Sequence, residues 1–103
     1  MRQQFISMTL YAEGVYLINE NYRANCVKVA KELGVTGYVG EVVNGRMRLV
    51  AESDPAVTTE FLRKIRQIPN AGRFKDNIDS LDIEDVRIVR ERRYKQFQTR
   101  HNN

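Results

Sequence analysis

Residues 36–52 read TGYVGEVVNGRMRLVAE. The first half is rich in β-branched residues, and apolar and polar residues alternate through the second half, a pattern that is typical of β-strands. Between the halves, Asn44 and Gly45 suit the positive φ angles of a type I′ turn. The segment therefore predicts a β-hairpin with strands over 36–43 and 46–52.

Amphipathic helices are predicted before and after this hairpin. Apolar residues recur at helical spacing through residues 22–33, and Gly34 supplies a C-terminal stop. After the hairpin, Asp54 and Pro55 form an N-cap and first-turn pair, and apolar residues line one helical face until Pro69. Each helix therefore has one face to bury against a sheet.

Strands are also predicted near both ends of the chain. Residues 5–11 alternate between two sets of side chains and predict the first strand. Residues 69–80 predict a loop, residues 83–89 a fourth strand, and residues 94–99 a short fifth strand beside the fourth. The order β-α-β-β-α-β predicts a ferredoxin-like α+β fold, in which two helices cover one face of an antiparallel sheet of four or five strands.

The composition fits one domain over residues 1–100, followed by a disordered tail at 101–103. A chain of 103 residues, 42% of them hydrophobic, is long enough for a single core. Because Cys26 is the only cysteine, an intramolecular disulfide is excluded, and we expect neither a metal site nor a cofactor. No apolar run has the length of a membrane span or the form of a secretory signal, so we expect a cytoplasmic protein without membrane contact.

The net charge of +4 is concentrated at the C-terminal end. Residues 1–86 carry 11 Lys and Arg against 12 Asp and Glu, whereas residues 87–103 carry six against one. These basic side chains, with Tyr94 and Phe97 among them, either track a nucleic-acid backbone or keep an edge strand from pairing with other sheets. The candidate nucleic-acid contacts are Arg90, Arg92, Arg93 and Lys95.

The helix and hairpin of residues 22–52 resemble the acylphosphatase family. The resemblance rests on Arg23-Ala24, AKELGVTGYV at 30–39, NGR at 44–46 and VAE at 50–52, which match the family's helix, LGLTGWV segment and hairpin without a gap. It extends with decreasing clarity to Phe97. The resemblance implies a ferredoxin-like fold and the hydrolysis of carboxyl-phosphate bonds in small phosphate-bearing ligands.

The resemblance also implies a phosphate site at the start of the first helix. In the family, a loop reading Gly-x-Val-Gln-Gly-Val-x-Phe-Arg surrounds a phosphate with backbone N–H groups, its arginine holds the phosphoryl oxygens, and an asparagine on the next strand orients the attacking water. A helix start and a forked guanidinium both suit a dianion. At the matching spacing, the phosphate-binding residues are Ile18, Asn19, Glu20, Asn21, Tyr22 and Arg23, and the catalytic positions are Arg23 and Glu41.

Most fixed positions of the loop depart from the family pattern, and the replacements at positions 15, 19 and 41 bear most directly on phosphate binding and catalysis. Val15 and Asn19 replace the two loop glycines, and side chains there restrict φ and the close approach of the backbone to a ligand. Gly14, one position early, offers partial compensation. Glu41 replaces the water-orienting asparagine, and two like charges ~4 Å apart at an effective dielectric of ~20 repel by ~4 kcal/mol. We therefore expect weak or absent hydrolysis.

Alternatives stay open for the site and for the protein. Arg23 binds the anion, is a solvated arginine of the first helical turn, or forms a salt bridge with Glu41 or Glu20. Glu41 either repels the phosphate or acts as a general base on water. The protein is either a weak acylphosphatase or a non-catalytic module that uses the same scaffold to bind a protein, nucleotide or nucleic-acid partner.

Overall fold

A computed structural model describes residues 4–13, 20–66 and 80–100. In chain order its elements are β1 (Phe5–Glu13), α1 (Glu20–Leu33), β2 (Thr36–Val43), β3 (Arg46–Ser53), α2 (Pro55–Arg66), β4 (Ser80–Val89) and β5 (Phe97–Thr99). Within these residues, the strands form one sheet in the order β4-β1-β3-β2-β5. The predicted ferredoxin-like α+β fold is confirmed. Most of the predicted loop at 69–80 and the tail at 101–103 lie outside the described residues.

The fifth strand lies at the opposite edge of the sheet from the predicted one. β5 pairs with β2, with Gly37 opposite Phe97 and Val39 opposite Thr99, and this pairing is parallel. The other strand pairs are antiparallel, so the sheet is mixed and the predicted pairing of β5 with β4 is wrong. The physical reason is the burial of Phe97, whose ring packs edge-on against Phe61 of α2 with centroids 6.1 Å apart.

The core lies between the two helices and one face of the sheet. Its largest fully buried hydrophobic side chains are Phe61, Phe97, Leu10, Met47, Leu49 and Ile65. We call the other face of the sheet the helix-distal face. Because strand residues alternate between faces, the neighbours of buried residues lie on the helix-distal face, among them Tyr11, Tyr38, Arg46 and Arg48.

The local signals that predicted the hairpin turn and the start of the second helix are confirmed, whereas the predicted helix end at Pro69 lies outside the described residues. Asn44 and Gly45 have φ angles of 53° and 75° and connect β2 to β3 as a tight turn. Asp54 precedes α2, where its carbonyl accepts a hydrogen bond from the N–H of Val57 at 2.9 Å, and Pro55 is the first helical residue. Within the described residues, neither helix combines the length and the apolar character that crossing a bilayer requires.

Candidate functional site

The start of α1 is the first part of the predicted phosphate site that the structure describes. The loop before it, with Ile18 and Asn19, lies outside the described residues. The backbone of Glu20 and Asn21 opens the helix. Backbone N–H groups in the first turn of a helix have no intrahelical acceptor and are available to an anion.

Tyr22 supports the site from the core. Its side chain is buried, and its hydroxyl donates a hydrogen bond to the carbonyl of Ile65 at 3.0 Å, which ties α1 to α2. Burial raises the pKa of this phenol well above its ordinary range, so the side chain stays neutral. Tyr22 can therefore contribute to anion binding through its backbone N–H, whereas its ring holds the helix in place.

Arg23 extends from α1 to the far end of β5. Its Nη2 donates to the carbonyl of Arg100 at 3.5 Å, and the N–H of Arg100 donates to the carbonyl of Val39 at 2.8 Å. The Nε of Arg23 is buried and has no hydrogen-bond partner among the residues that the structure describes. An unsatisfied buried donor costs about 1–3 kcal/mol, and this cost is removed when an anion accepts from it.

Glu41 lies in a β-bulge of β2. Between Val39 and Val42 the register of β2 on β3 shifts, because Gly40 and Glu41 together face the single residue Arg48. The extra residue returns Val42 to the core face, where it packs against the hydrophobic cluster. Bulges of this kind redirect side chains and are frequent next to binding sites.

Glu41 contributes to a hollow of about 450 Å³ on the helix-distal face, which we call the arginine hollow. The residues that line it are Tyr11, Tyr38, Gly40, Glu41, Val43, Asn44, Arg46, Arg48 and Arg100. Three guanidinium groups and one carboxylate therefore meet in this space. Two of the cations cover tyrosine rings: Arg100 lies 4.2 Å from the centroid of Tyr38 and Arg46 lies 4.3 Å from that of Tyr11. The hollow is thus a cationic surface with planar groups.

Arg100 connects the two predicted catalytic positions. Its carbonyl accepts from Arg23 on the helix side, and its side chain lines the arginine hollow together with Glu41. Arg23 approaches from the core face of the sheet, whereas the hollow opens on the helix-distal face. Arg100 was not among the predicted site residues, because its position depends on the parallel pairing of β5 with β2 and no local pattern indicates that pairing.

The four predicted nucleic-acid contacts divide into two pairs. Arg92 donates through Nη1 to the carbonyl of Gly34 at 2.7 Å, and Arg93 is bonded to the buried carboxylate of Glu52. Arg90 and Lys95 are exposed. Two of the four side chains therefore have structural contacts within the fold.

Metal ligands are not clustered in the described part of the chain. Across residues 4–13, 20–66 and 80–100, no group of three or more His, Cys, Asp or Glu side chains is placed to hold a metal ion. Cys26 is buried in the core, and burial raises the pKa of its thiol to about 12. The described residues of the candidate site contribute guanidinium, carboxylate and backbone N–H groups.

The family model and the curated relatives that match this chain belong to one family. The family model for acylphosphatase matches residues 19–99. The acylphosphatase of Methylococcus capsulatus (strain Bath) is 34% identical over 70 residues, which cover 68% of this chain and 72% of the relative. Among solved structures, the Bacillus subtilis acylphosphatase aligns with a TM-score of 0.70 at 16% identity, covering 91% of this chain and 97% of that one. Full-length HypF in its phosphate- and nucleotide-bound form aligns with a TM-score of 0.70 at 21% identity, covering 94% of this chain and 12% of that protein.

Proposed function

Because the chain belongs to the acylphosphatase family, we propose that it binds the phosphoryl group of acyl phosphates at the start of α1 and hydrolyses them slowly. The main support for this proposal is the incomplete hydrogen bonding of the Arg23 guanidinium. One nitrogen is held by the carbonyl of Arg100, and Nε is buried without a described acceptor. A phosphoryl oxygen supplies such an acceptor, and charge-assisted hydrogen bonds of this type are among the strongest in proteins.

The backbone at the start of α1 adds the second set of donors. N–H groups from Glu20 to Arg23 lie in the first turn, where the helix dipole favours negative charge. We assign Ile18 and Asn19 to the same cradle through their backbone N–H groups. Arg23 then clamps the phosphoryl group from the side, and the acyl carbon lies toward the end of β2.

Glu41 explains why the reaction is slow. An ionised carboxylate only accepts hydrogen bonds, so it cannot present an N–H donor to the attacking water as a neutral amide does. It also repels the dianion. Arg46, Arg48 and Arg100 line the same hollow as Glu41 and offset part of its negative charge, so the phosphoryl group still binds at the start of α1 while the attacking water is poorly oriented.

The experiment that tests this function compares Arg23→Ala with the wild type in two assays. Inorganic phosphate should raise the melting temperature of the wild type and not that of Arg23→Ala, because the variant lacks the guanidinium. Hydrolysis of benzoyl phosphate should be slow in the wild type and fall at least about tenfold in the variant, the effect of losing ~1.4 kcal/mol of transition-state stabilisation.

The matched control is Arg66→Ala. Arg66 is an exposed arginine at the end of α2, and its removal lowers the net charge equally. The control should retain both the phosphate effect and the wild-type rate. The proposal is wrong if Arg23→Ala and Arg66→Ala give the same phosphate effect on the melting temperature and the same rate of hydrolysis. It is also wrong if the wild type hydrolyses benzoyl phosphate at the rate of an efficient acylphosphatase and Glu41→Asn does not increase that rate.

A further inference from the structure

We propose that the helix-distal face binds single-stranded nucleic acid along a groove of arginine and tyrosine side chains. A second hollow, of about 220 Å³, adjoins the arginine hollow and shares Tyr38 and Arg48 with it. Its other lining residues are Ser7, Thr9, Val50, Asp85, Arg87, Arg93 and Tyr94. We call the two hollows together the arginine groove. It follows β3 from Arg46 to Val50.

The arginine groove holds more positive charge than its carboxylates neutralise. Three of its five arginines have carboxylate partners, in the pairs Arg46–Glu13, Arg87–Asp85 and Arg93–Glu52. Arg48 and Arg100 have no salt bridge to a carboxylate among the described residues. Within the described part of the chain, Glu41 is the one further acidic side chain that lines the groove, so an excess of positive charge remains among these residues.

Arg48 lies at the centre of the arginine groove, among the other arginines. It lines both hollows, is exposed, and makes no hydrogen bond or ion pair with the described residues. Its neighbours across the groove include Arg46 and Arg100 on one side and Arg87 and Arg93 on the other. Like charges at this density repel one another, and a chain of phosphates relieves that repulsion at several points at once.

The planar side chains of the groove indicate that the bound polyanion is a nucleic acid with exposed bases. The guanidinium carbons of Arg46 and Arg100 lie over the rings of Tyr11 and Tyr38, 4.3 Å and 4.2 Å from the ring centroids. Tyr94 packs edge-on against Tyr38 at 5.7 Å. Unpaired bases stack both on aromatic rings and on arginine planes.

This combination favours a single strand over the other polyanions that a cationic surface attracts. In a duplex the base faces are already stacked on one another and are not available to the groove. An acidic peptide offers carboxylates but no series of planar rings at regular spacing. A flexible single strand presents phosphates and exposed bases together, and a sheet face that carries tyrosines and arginines matches both features.

The test measures fluorescence anisotropy of a labelled oligouridylate with the full chain at several salt concentrations. We expect binding at low salt, and a linear fall of log K with log salt whose slope is about −0.7 per contacted phosphate. Arg48→Gln should weaken binding roughly tenfold and reduce the slope by about 0.7, the effect of losing one phosphate contact. Arg66→Gln, which removes the same charge on α2, should change the affinity less than about twofold.

Two further measurements distinguish the binding of single-stranded nucleic acid from the binding of any polyanion. An unlabelled duplex of the same length and an inorganic polyphosphate of matched charge should both compete poorly with the labelled oligouridylate. Tyr11→Leu should weaken the binding of oligouridylate and leave the affinity for polyphosphate unchanged. The proposal is overturned if Arg48→Gln equals Arg66→Gln, if the duplex or polyphosphate competes as well as the single strand, or if the wild type does not bind at low salt. None of these readouts depends on hydrolysis, so they stand apart from the test of Arg23.

Discussion

The carboxylate of Glu52 lies fully buried beneath Arg93, with its Oε2 accepting a hydrogen bond from Nε of Arg93 at 3.1 Å. Its Oε1 accepts from the backbone N–H groups of Arg93 at 2.7 Å and Tyr94 at 3.2 Å. Arg93 also donates through Nη2 to Ser7 at 3.0 Å. One acidic side chain of β3 therefore fixes the segment that leads from β4 across the sheet to β5, and so determines which edge β5 joins.

Removing the Arg93 side chain should destabilise the fold although that side chain is largely exposed. Arg93→Ala leaves the buried Glu52 carboxylate with its two backbone donors and without a countercharge. Breaking a fully buried pair costs about 3–5 kcal/mol, and because Arg93 is 62% exposed we expect about 2 kcal/mol. Urea denaturation measures the loss.

The control for Arg93→Ala is Arg87→Ala. Arg87 pairs with Asp85 at 2.8 Å with both side chains exposed, and such pairs contribute about 0–1 kcal/mol. A similar loss of stability in the two variants would contradict the role assigned to Glu52.

Gly37 should tolerate no side chain. It has a φ of 139°, and a Cβ built there would lie 1.9 Å from the carbonyl oxygen of Val50, so β2 and β3 would have to separate. We expect Gly37→Ala to lower the free energy of unfolding by about 3 kcal/mol or more. Gly40→Ala is the comparison, because its Cβ would meet the Arg48 carbonyl oxygen at an ordinary 3.5 Å. Equal urea midpoints for the two variants would refute this prediction.

Stability should fall at alkaline pH through Cys26 and Tyr22. Burial raises the pKa of the Cys26 thiol from an ordinary 9.0 to about 12, and it raises the pKa of Tyr22 in the same direction. Both groups are neutral in the folded and unfolded states below about pH 7.5. Above that pH the unfolded chain releases protons that the folded chain retains, so stability is lost as the pH rises toward 12.

For Cys26 and for Tyr22, the loss of free energy of unfolding approaches ~1.4 kcal/mol per pH unit once the group is ionised in the unfolded chain and neutral in the folded one. Urea denaturation of the wild type should therefore show a fall of ~3–4 kcal/mol between about pH 9 and 11. Cys26→Ala should show a shallower pH dependence, since one of the two groups is removed. An identical slope in the variant would show that the thiol does not titrate differently in the two states.

Local sequence signals determined most of the elements but not the contacts between distant ones. Asn44-Gly45 and Asp54-Pro55 act on their own neighbours, so the hairpin and the start of α2 follow from the sequence. The edge that β5 joins depends on the burial of Phe97 and on Glu52, and neither leaves a periodic signal.

The same limit applies to the candidate site. Arg23 was identified through its spacing in a family motif. Arg100 and the bulge at Gly40 and Glu41 depend on strand pairing, which alternation of apolar residues does not encode. The groove around Arg48 likewise combines residues from several strands.

Replacing the carboxylate at the end of β2 should increase the hydrolysis of acyl phosphates. Glu41→Asn removes one negative charge from a hollow lined by Arg46, Arg48 and Arg100 and supplies an amide N–H that can orient water. Direct repulsion between charges ~4 Å apart would reach ~4 kcal/mol at an effective dielectric of ~20. Solvent access and the arginines reduce this, so we expect kcat/KM for benzoyl phosphate to rise roughly tenfold, which corresponds to ~1.4 kcal/mol.

Glu32→Asn provides the matched control for this increase, because Glu32 is an exposed acid on α1 and its replacement changes the net charge by the same amount. The control should hydrolyse benzoyl phosphate at the wild-type rate. A decrease in Glu41→Asn would instead mean that the carboxylate takes a proton from the attacking water, and an acidic limb in the wild-type pH–rate profile, absent from the variant, would then identify Glu41 as the general base.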